Sequence, residues 1–438
     1  MNNNAFTNHQ LNDTEAGELF SNKLLSEIRE RFYYIDNDPH GGERLFFDNA
    51  GGSFRLKKAL EEFARLDAIP DCPERPHNKA LYLQKKQENG INDVKTIFNA
   101  KGGSVVTSLT ASQAMFDMVR AISENIPGTN MVTTILEHPS AYDPMVYYSE
   151  KLNKELRVAA SNPVTGGVDV DEVVKLIDKD TCLLSIMYAS NITGAIIDVG
   201  NVIKKAREIK PDLYIVIDAV QHVPHDVIDL QKTPVDGINF APYKFFGCRG
   251  SGIAYLSDRA ARLPHHKLIA KEPYVWQLGS PAPAQYAVVS EIVNYVCWIG
   301  GKFKKSDDRR ELFECGMKKI HLQERALMSR MLDGTDEISG LRKLDGVNVL
   351  LDYEDLTKRD FIISIGFNNI GYTQAMKEYE KRGVIVFVRL LSNPYSKRIL
   401  ESCNLNGAIR VSPLHCNSIE EIDRFLEITN EISQLSPS

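Results

Sequence analysis

Short, continuously apolar runs separated by stretches of helical spacing dominate the chain from about residue 45 to 257. Residues 132–136 are a β-branched run, 140–152 follow with helical spacing, and 182–188 are apolar again. An amphipathic stretch at 199–209 leads to further buried runs at 214–217, 237–240 and 253–255. A run that is apolar at successive positions suits a strand covered on both faces, and helices between such strands carry the chain back for parallel pairing. The pattern predicts an α/β fold with a large, mostly parallel sheet and helices on both faces. After about residue 283 the character changes. Helical stretches at 285–299 and 306–332 precede strand-like segments at 361–365, 384–388 and 408–411 and a closing helix at 419–432. That density predicts a smaller α+β domain. The expected division is an arm at 1–44, with helical segments between 15 and 32, a large domain at 45–285, and linking helices with a small C-terminal domain at 286–438.

Composition narrows the class. The 438 residues exceed the roughly 100–200 of one ordinary domain. With 43% hydrophobic and 25% charged residues, disorder over most of the chain is excluded. A net charge of −6 gives no reason to expect nucleic acid or an anionic membrane as the main partner. No apolar run approaches the roughly 18 residues of a spanning helix, and the polar residues 1–10 lack the apolar core of a secretory signal. The seven cysteines are odd in number and include no Cys-x-x-Cys spacing. That argues against a disulfide framework and against a zinc ribbon, so no metal is expected and the cytoplasm is the expected compartment.

The candidate chemistry follows the strand-like runs, since ligands of doubly wound sheets bind beyond the carboxyl ends of the strands. Asp218-Ala219-Val220-Gln221 follows the 214–217 run, and Pro242-Tyr243-Lys244 follows the 237–240 run. A lysine among apolar residues has a lowered pKa and offers a neutral amine to carbonyls. Thr107-Ser108-Leu109-Thr110-Ala111-Ser112 leads into a helix, whose free N–H groups suit a phosphate. His138 follows the 132–136 run and Asn191 the 182–188 run. Taken singly, Asp218 reads equally as a cap or surface ion pair, Lys244 as cover for apolar surface, Ser112 as an ordinary helix cap, and His138 and Asn191 as structural.

The order is more specific than its parts. Phosphate seat, strand-end His, strand-end Asn, Asp-x-x-Gln and then Lys resembles the class V aminotransferase family of fold-type-I pyridoxal-phosphate enzymes, and within it the cysteine-desulfurase-like branch. The similarity runs from Phe46-Phe47-Asp48-Asn49-Ala50-Gly51-Gly52 to Arg410-Val411-Ser412 and Asn417. The resemblance implies that Lys244 forms a Schiff base with pyridoxal 5'-phosphate, Asp218 pairs with the pyridine nitrogen, and His138 stacks on the ring. It places Gln221 and Asn191 near the phenolic oxygen, and Ala111, Ser112 and Tyr243 at the phosphate, with Tyr243 standing where the family often has His. Ser280 would reach a partner subunit's phosphate, implying a homodimer with shared sites. Arg410 would bind the carboxylate of an amino-acid substrate, with Asn49 and Tyr395 close by. In cysteine desulfurases a persulfide-forming cysteine precedes the substrate arginine; fifteen residues before Arg410 stands Tyr395. Cys403 reads as a buried small hydrophobe, and His222 as a packing residue. The expected activity is a lyase without a persulfide cysteine, acting at Cα or Cβ of an amino acid. The alternatives are an aminotransferase or an amino-acid epimerase. A non-enzymatic cofactor-binding protein fits poorly with an intact Lys244, Asp218 and Arg410 set.

Overall fold

A computed structural model describes residues 17–40 and 42–436. The polar start at 1–10 and the first two residues of the expected 15–32 helical region lie outside the described residues. The main sheet has seven strands: β1 (Ser104–Ser108), β2 (Asn130–Thr134), β3 (Glu155–Ala159), β4 (Thr181–Met187), β5 (Tyr214–Asp218), β6 (Gly237–Phe240) and β7 (Gly252–Leu256). Their order is β1-β7-β6-β5-β4-β2-β3. Strands β3, β2, β4, β5 and β6 pair in parallel, and β7 runs antiparallel to both β6 and β1.

Alternation along the strands explains the unbroken apolar runs. Leu184, Ile215, Ile217 and Ile238 enter one core, while Leu183, Val216 and Ala254 enter the core on the opposite face. The first core also takes α1 (Asn22–Arg29), α2 (Asn78–Phe98) and α5 (Val199–Ile209); the second takes α3 (Ala111–Asn125) and α4 (Pro139–Lys151). Each of these large aliphatic side chains contributes roughly 1.5–3 kcal/mol by leaving water.

A second sheet holds β8 (Val347–Leu350), β9 (Ile363–Phe367), β10 (Phe387–Leu390) and β11 (Gly407–Val411) in the order β8-β9-β11-β10, antiparallel throughout. Helix α6 (Pro283–Gly301) packs on the main core, and α7 (Arg309–Asp333) joins the two parts. Phe313, Met317 and Ile320 of α7 lie in the main core, and Leu327, Met328 and Met331 lie in the core of the second sheet. Of the last two helices, α8 (Pro394–Ser402) buries Ile399 and Leu400 in the main core, while α9 (Ile419–Ser433) buries Ile422, Phe425 and Leu426 in the core of the second sheet.

Three boundaries differ from the sequence pattern for local reasons. Helix α7 starts at Arg309 because the Asp308 carboxylate caps it, accepting the Glu311 N–H. The single run at 384–388 is divided: Val384–Ile385 pairs in parallel with Leu45–Phe46, while Phe387–Leu390 pairs with β11. That first pairing draws Leu45 and Phe47 into the second core and sets Asp48 beside Ser412. Strands β1, β3 and β8 have no counterpart in the apolar pattern, because they are partly exposed and interleave polar residues.

Candidate active site

The carboxyl ends of β2, β4, β5 and β6 open on one cavity of ≈ 400 Å³, lined among others by Ser112, His138, Asn191, Asp218, Gln221 and Lys244. Parallel pairing in register gathers residues that are far apart in sequence. Lys244 ends a short 3-10 turn, Pro242–Lys244, directly after β6. Burial lowers its pKa to about 7; the charges of Arg410 and Arg389 add to the effect, and Asp218 and Asp48 oppose it. The site thus holds a lysine that is substantially neutral at neutral pH.

Asp218 terminates β5, buried at 6% exposure. Burial raises its pKa, against the Val220 N–H, which donates to Oδ1 at 3.0 Å, and against the charge of Lys244. Among the described residues no basic side chain lies in ion-pair reach of Asp218. A buried carboxylate of this kind calls for a cationic N–H from a ligand. Gln221 is fixed by its Nε2, which donates to the Ala50 carbonyl at 3.1 Å.

His138 caps α4. Its Nδ1 accepts the Ser140 N–H at 3.1 Å, which places its ring proton on Nε2 in the neutral form. Burial, with Lys244, Arg389, Arg398 and Arg410 nearby, depresses its pKa to about 3. The ring is therefore a neutral, flat wall of the cavity. Glu137 is the preceding residue. It is fully buried; Oε1 accepts from Met187 N at 2.9 Å and Thr134 Oγ1 at 2.7 Å, and so ties the end of β2 to β4. Burial pushes its carboxyl up to about 8. The signal in the sequence was a lone acid wedged between an apolar run and a strand-end His.

An anion seat adjoins this wall, with Ser112 Oγ 2.5 Å from Ser140 Oγ. Thr110 caps α3 through Gln113 N and leaves the first N–H groups, at Ala111 and Ser112, toward the cavity. A Cβ on Gly252 would lie 2.1 Å from Ala111 N, so only glycine lets β7 pass so close to this helix end. Ser251 Oγ and Asn191 Oδ1 are buried with no hydrogen-bond partner among the described residues. Tyr243 lines the cavity with the Arg249 guanidinium 4.3 Å from its ring centre. Cavity size, helix end, orphaned buried oxygens, Asp218 and Lys244 together fit pyridoxal phosphate.

Other expected site residues lie outside the cavity lining. Arg410 is fully buried behind it. Its Nη1 donates to the Asn191 carbonyl at 3.0 Å, and its Nη2 pairs with Asp48. Asn49 is engaged by backbone on both ends, donating to Phe46 O and Ser412 O and accepting from Phe54 N. Tyr395, 58% exposed at the start of α8, stacks at 6.5 Å from the His138 ring. Ser280 is exposed, donates to Glu74 at 2.7 Å, and lines a neighbouring cleft that shares Leu109 and Ser251 with the cavity. His222 pairs with Asp360 at 3.0 Å and stacks on Tyr188, away from the lining. Cys403 is buried at the end of α8, where burial raises its thiol pKa.

Fold and site together define a fold-type-I pyridoxal-phosphate enzyme. A family model described as aminotransferase class-V matches residues 45–297. The chain belongs to the class-V aminotransferase family, whose cofactor is pyridoxal phosphate. A probable cysteine desulfurase of Borreliella burgdorferi is 25% identical over 93% of this chain and 96% of its own. Another, of Mycoplasma genitalium, is 27% identical over 56% of this chain and 59% of its own. The apo structure of a cysteine desulfurase from Thermococcus onnurineus NA1 superposes with a TM-score of 0.77 at 20% identity, covering 93% of this chain and 98% of that one. No helix among the described residues is long and apolar enough to cross a membrane.

Proposed function

We propose that the chain is a cysteine-desulfurase-like lyase that breaks a bond at Cα or Cβ of an amino acid without forming a persulfide on its own cysteine. The carrying observation is the pair of Asp218, buried without a protein cation, and Lys244, a lysine of lowered pKa, on one cavity. When bound, pyridoxal phosphate supplies an electron sink for a carbanion at Cα or Cβ. Asp218 would hold a proton on the pyridine nitrogen, and Asn191 and Gln221 would bond near the phenolic oxygen. The N–H groups of Ala111 and Ser112, with Tyr243, would hold the phosphate. His138 would cover one face of the ring. Lys244 Nζ, its pKa lowered by burial, would take and return the proton at Cα. A carboxylate held by the guanidinium groups of the second sheet would fix which Cα bond stands perpendicular to the ring.

Tyr395 stands where the relatives' persulfide-forming cysteine is expected, and among the described residues Cys403 is buried on the same helix. Both support sulfur-independent release of the leaving group. Ser280 on an exposed segment supports a shared site in a homodimer. Seven cysteines without a disulfide support a reducing, cytoplasmic setting.

The test is a panel of L-amino acids carrying a leaving group at Cβ, incubated with the holoenzyme and no second keto acid. Catalytic release of ammonia and keto acid is expected. Turnover only when a keto-acid acceptor is added would replace the lyase reading with transamination, and recovery of the D-isomer would replace it with epimerisation.

A further inference from the structure

Two helices begin at the cavity, and a pair of hydroxyls joins their first turns. Ser112 is the second residue of α3 and Ser140 the second residue of α4. Both line the cavity together with His138, the cap of α4. Ser112 Oγ lies 2.5 Å from Ser140 Oγ, and Ser140 Oγ lies 2.9 Å from His138 Nδ1. The three groups form an unbroken chain from the anion seat to the ring wall.

Proton positions along the chain follow from its one fixed donor. The Ser140 N–H donates to His138 Nδ1 at 3.1 Å, so that nitrogen carries no proton. The Ser140 hydroxyl therefore donates to Nδ1 as well. It has a single proton, so the proton between the two serines is that of Ser112. As the groups stand, the chain runs from Ser112 through Ser140 to His138. In that direction the Ser112 hydroxyl offers the seat only lone pairs, while a phosphate oxygen is an acceptor and needs a donor. Ser112 meets that need by turning its proton toward the seat. Its oxygen is then free to accept from Ser140, whose proton leaves His138. Each hydroxyl donates once in either arrangement, so no donor is left idle by the change.

We propose that Ser140 is a positioning residue that couples the anion seat to His138: when Ser112 donates to the cofactor phosphate, Ser140 turns its own proton from His138 Nδ1 to Ser112 Oγ. This rests on the placement of pyridoxal phosphate above and deepens it. His138 keeps its bond from the Ser140 N–H, so the ring stays in place and loses only its second donor. Relieved of that donor, the imidazole is richer in electrons, which suits a wall over a protonated pyridine. The seat and the wall then respond to the phosphate as one unit.

The experiment reads the ring nitrogen directly. Apoprotein carrying 15N in its histidine side chains is titrated with inorganic phosphate, pyridoxal phosphate and pyridoxal, and the His138 signals are assigned by their loss in His138→Gln. An unprotonated ring nitrogen resonates far downfield, and each donor draws it upfield. In wild type the Nδ1 signal should move downfield with inorganic phosphate, and further downfield with pyridoxal phosphate than with pyridoxal. In Ser140→Ala it should start downfield and stay there when inorganic phosphate is added. Ser140→Thr, which keeps the hydroxyl, should restore the response. Ser112→Ala breaks the chain from the other end and decides the question if the Ser140 variant does not fold. Its Nδ1 signal should start as in wild type and not move, and its affinity for pyridoxal phosphate should fall by roughly 10-fold or more while that for pyridoxal changes by no more than about twofold. A wild type that binds both phosphates with Nδ1 unmoved overturns the proposal. So does a Ser140→Ala or Ser112→Ala protein that still shows the shift. Wild type with no visible band on adding pyridoxal phosphate would sink the cofactor reading itself, and the coupling with it.

Discussion

Lys244 and Glu137 owe their unusual protonation to the same cause, burial, and each gives a test at the level of one side chain. Capture of pyridoxal phosphate by the apoprotein needs the free amine of Lys244, whose pKa is lowered to about 7. The rate of capture should therefore rise with pH through about 7 and level off above it, as read by stopped-flow absorbance. A rate still climbing tenfold per unit beyond pH 9 would mean an ordinary lysine. Lys244→Ala should show no covalent band. Glu137 is the reverse case. Its folded pKa of about 8 stands above its unfolded value, so the folded state keeps a proton that the unfolded chain loses. Stability is then lost as pH rises from the unfolded pKa toward the folded one. Glu137→Gln should be nearly isosteric with the protonated form and should remove this contribution. Urea midpoints of variant and wild type should agree at pH 5 and diverge in favour of the variant at pH 8. Equal midpoints at both values would place Glu137 as an ionised group. Neither pKa was legible from sequence beyond the fact of an apolar context, because desolvation depends on what other elements cover the residue.

Elements set the distances that single residues use. The main-sheet strands were legible because both of their faces are buried, which writes Val, Ile and Leu at successive positions; Asp218, Lys244, His138 and Asn191 were legible because they follow such runs. Edge strands β1 and β3 were not, since they are only partly buried and interleave polar residues, so the apolar signal breaks up. Arg410 was legible only through the family resemblance, and its place beside Arg389 was not legible. Their shared face comes from the pairing of β10 with β11, and Asp48 reaches Arg410 through a strand contact between residues more than 300 apart in sequence. The close pass of β7 over the start of α3 gives the element-scale test. A methyl group on Gly252 would press on Ala111 N, where backbone cannot give way cheaply. Gly252→Ala should cost about 1–3 kcal/mol in a denaturant titration. It should also weaken binding of pyridoxal phosphate more than that of pyridoxal, which lacks the phosphate. Equal loss for both would show that this helix end does not carry the anion.

At the scale of the whole molecule, the site draws on both cores. The main sheet supplies Lys244 and Asp218 to the cavity, Arg410 of the second sheet holds the carbonyl of Asn191 on its wall, and α7 is packed into both cores at once. The same cavity is also open on one flank. Its lining shares Leu109, Gly250 and Ser251 with a cleft whose rim carries Leu278 and Ser280. Leu109 is 75% exposed and Leu278 53%, apolar side chains set in water beside an anion seat. A second copy of the chain that covered this flank would bury them and close the seat from solvent, which strengthens every charge interaction at the phosphate. Light scattering should therefore give twice the 49.2 kDa chain mass. Replacing Leu109 and Leu278 together by Glu should yield monomers that keep their helical content but release pyridoxal phosphate on dialysis. Mixing that variant with Lys244→Ala should not restore activity, because the failure is in assembly and not in a side chain that another subunit could supply. A wild-type monomer that holds its cofactor through dialysis would show that each chain closes its own site.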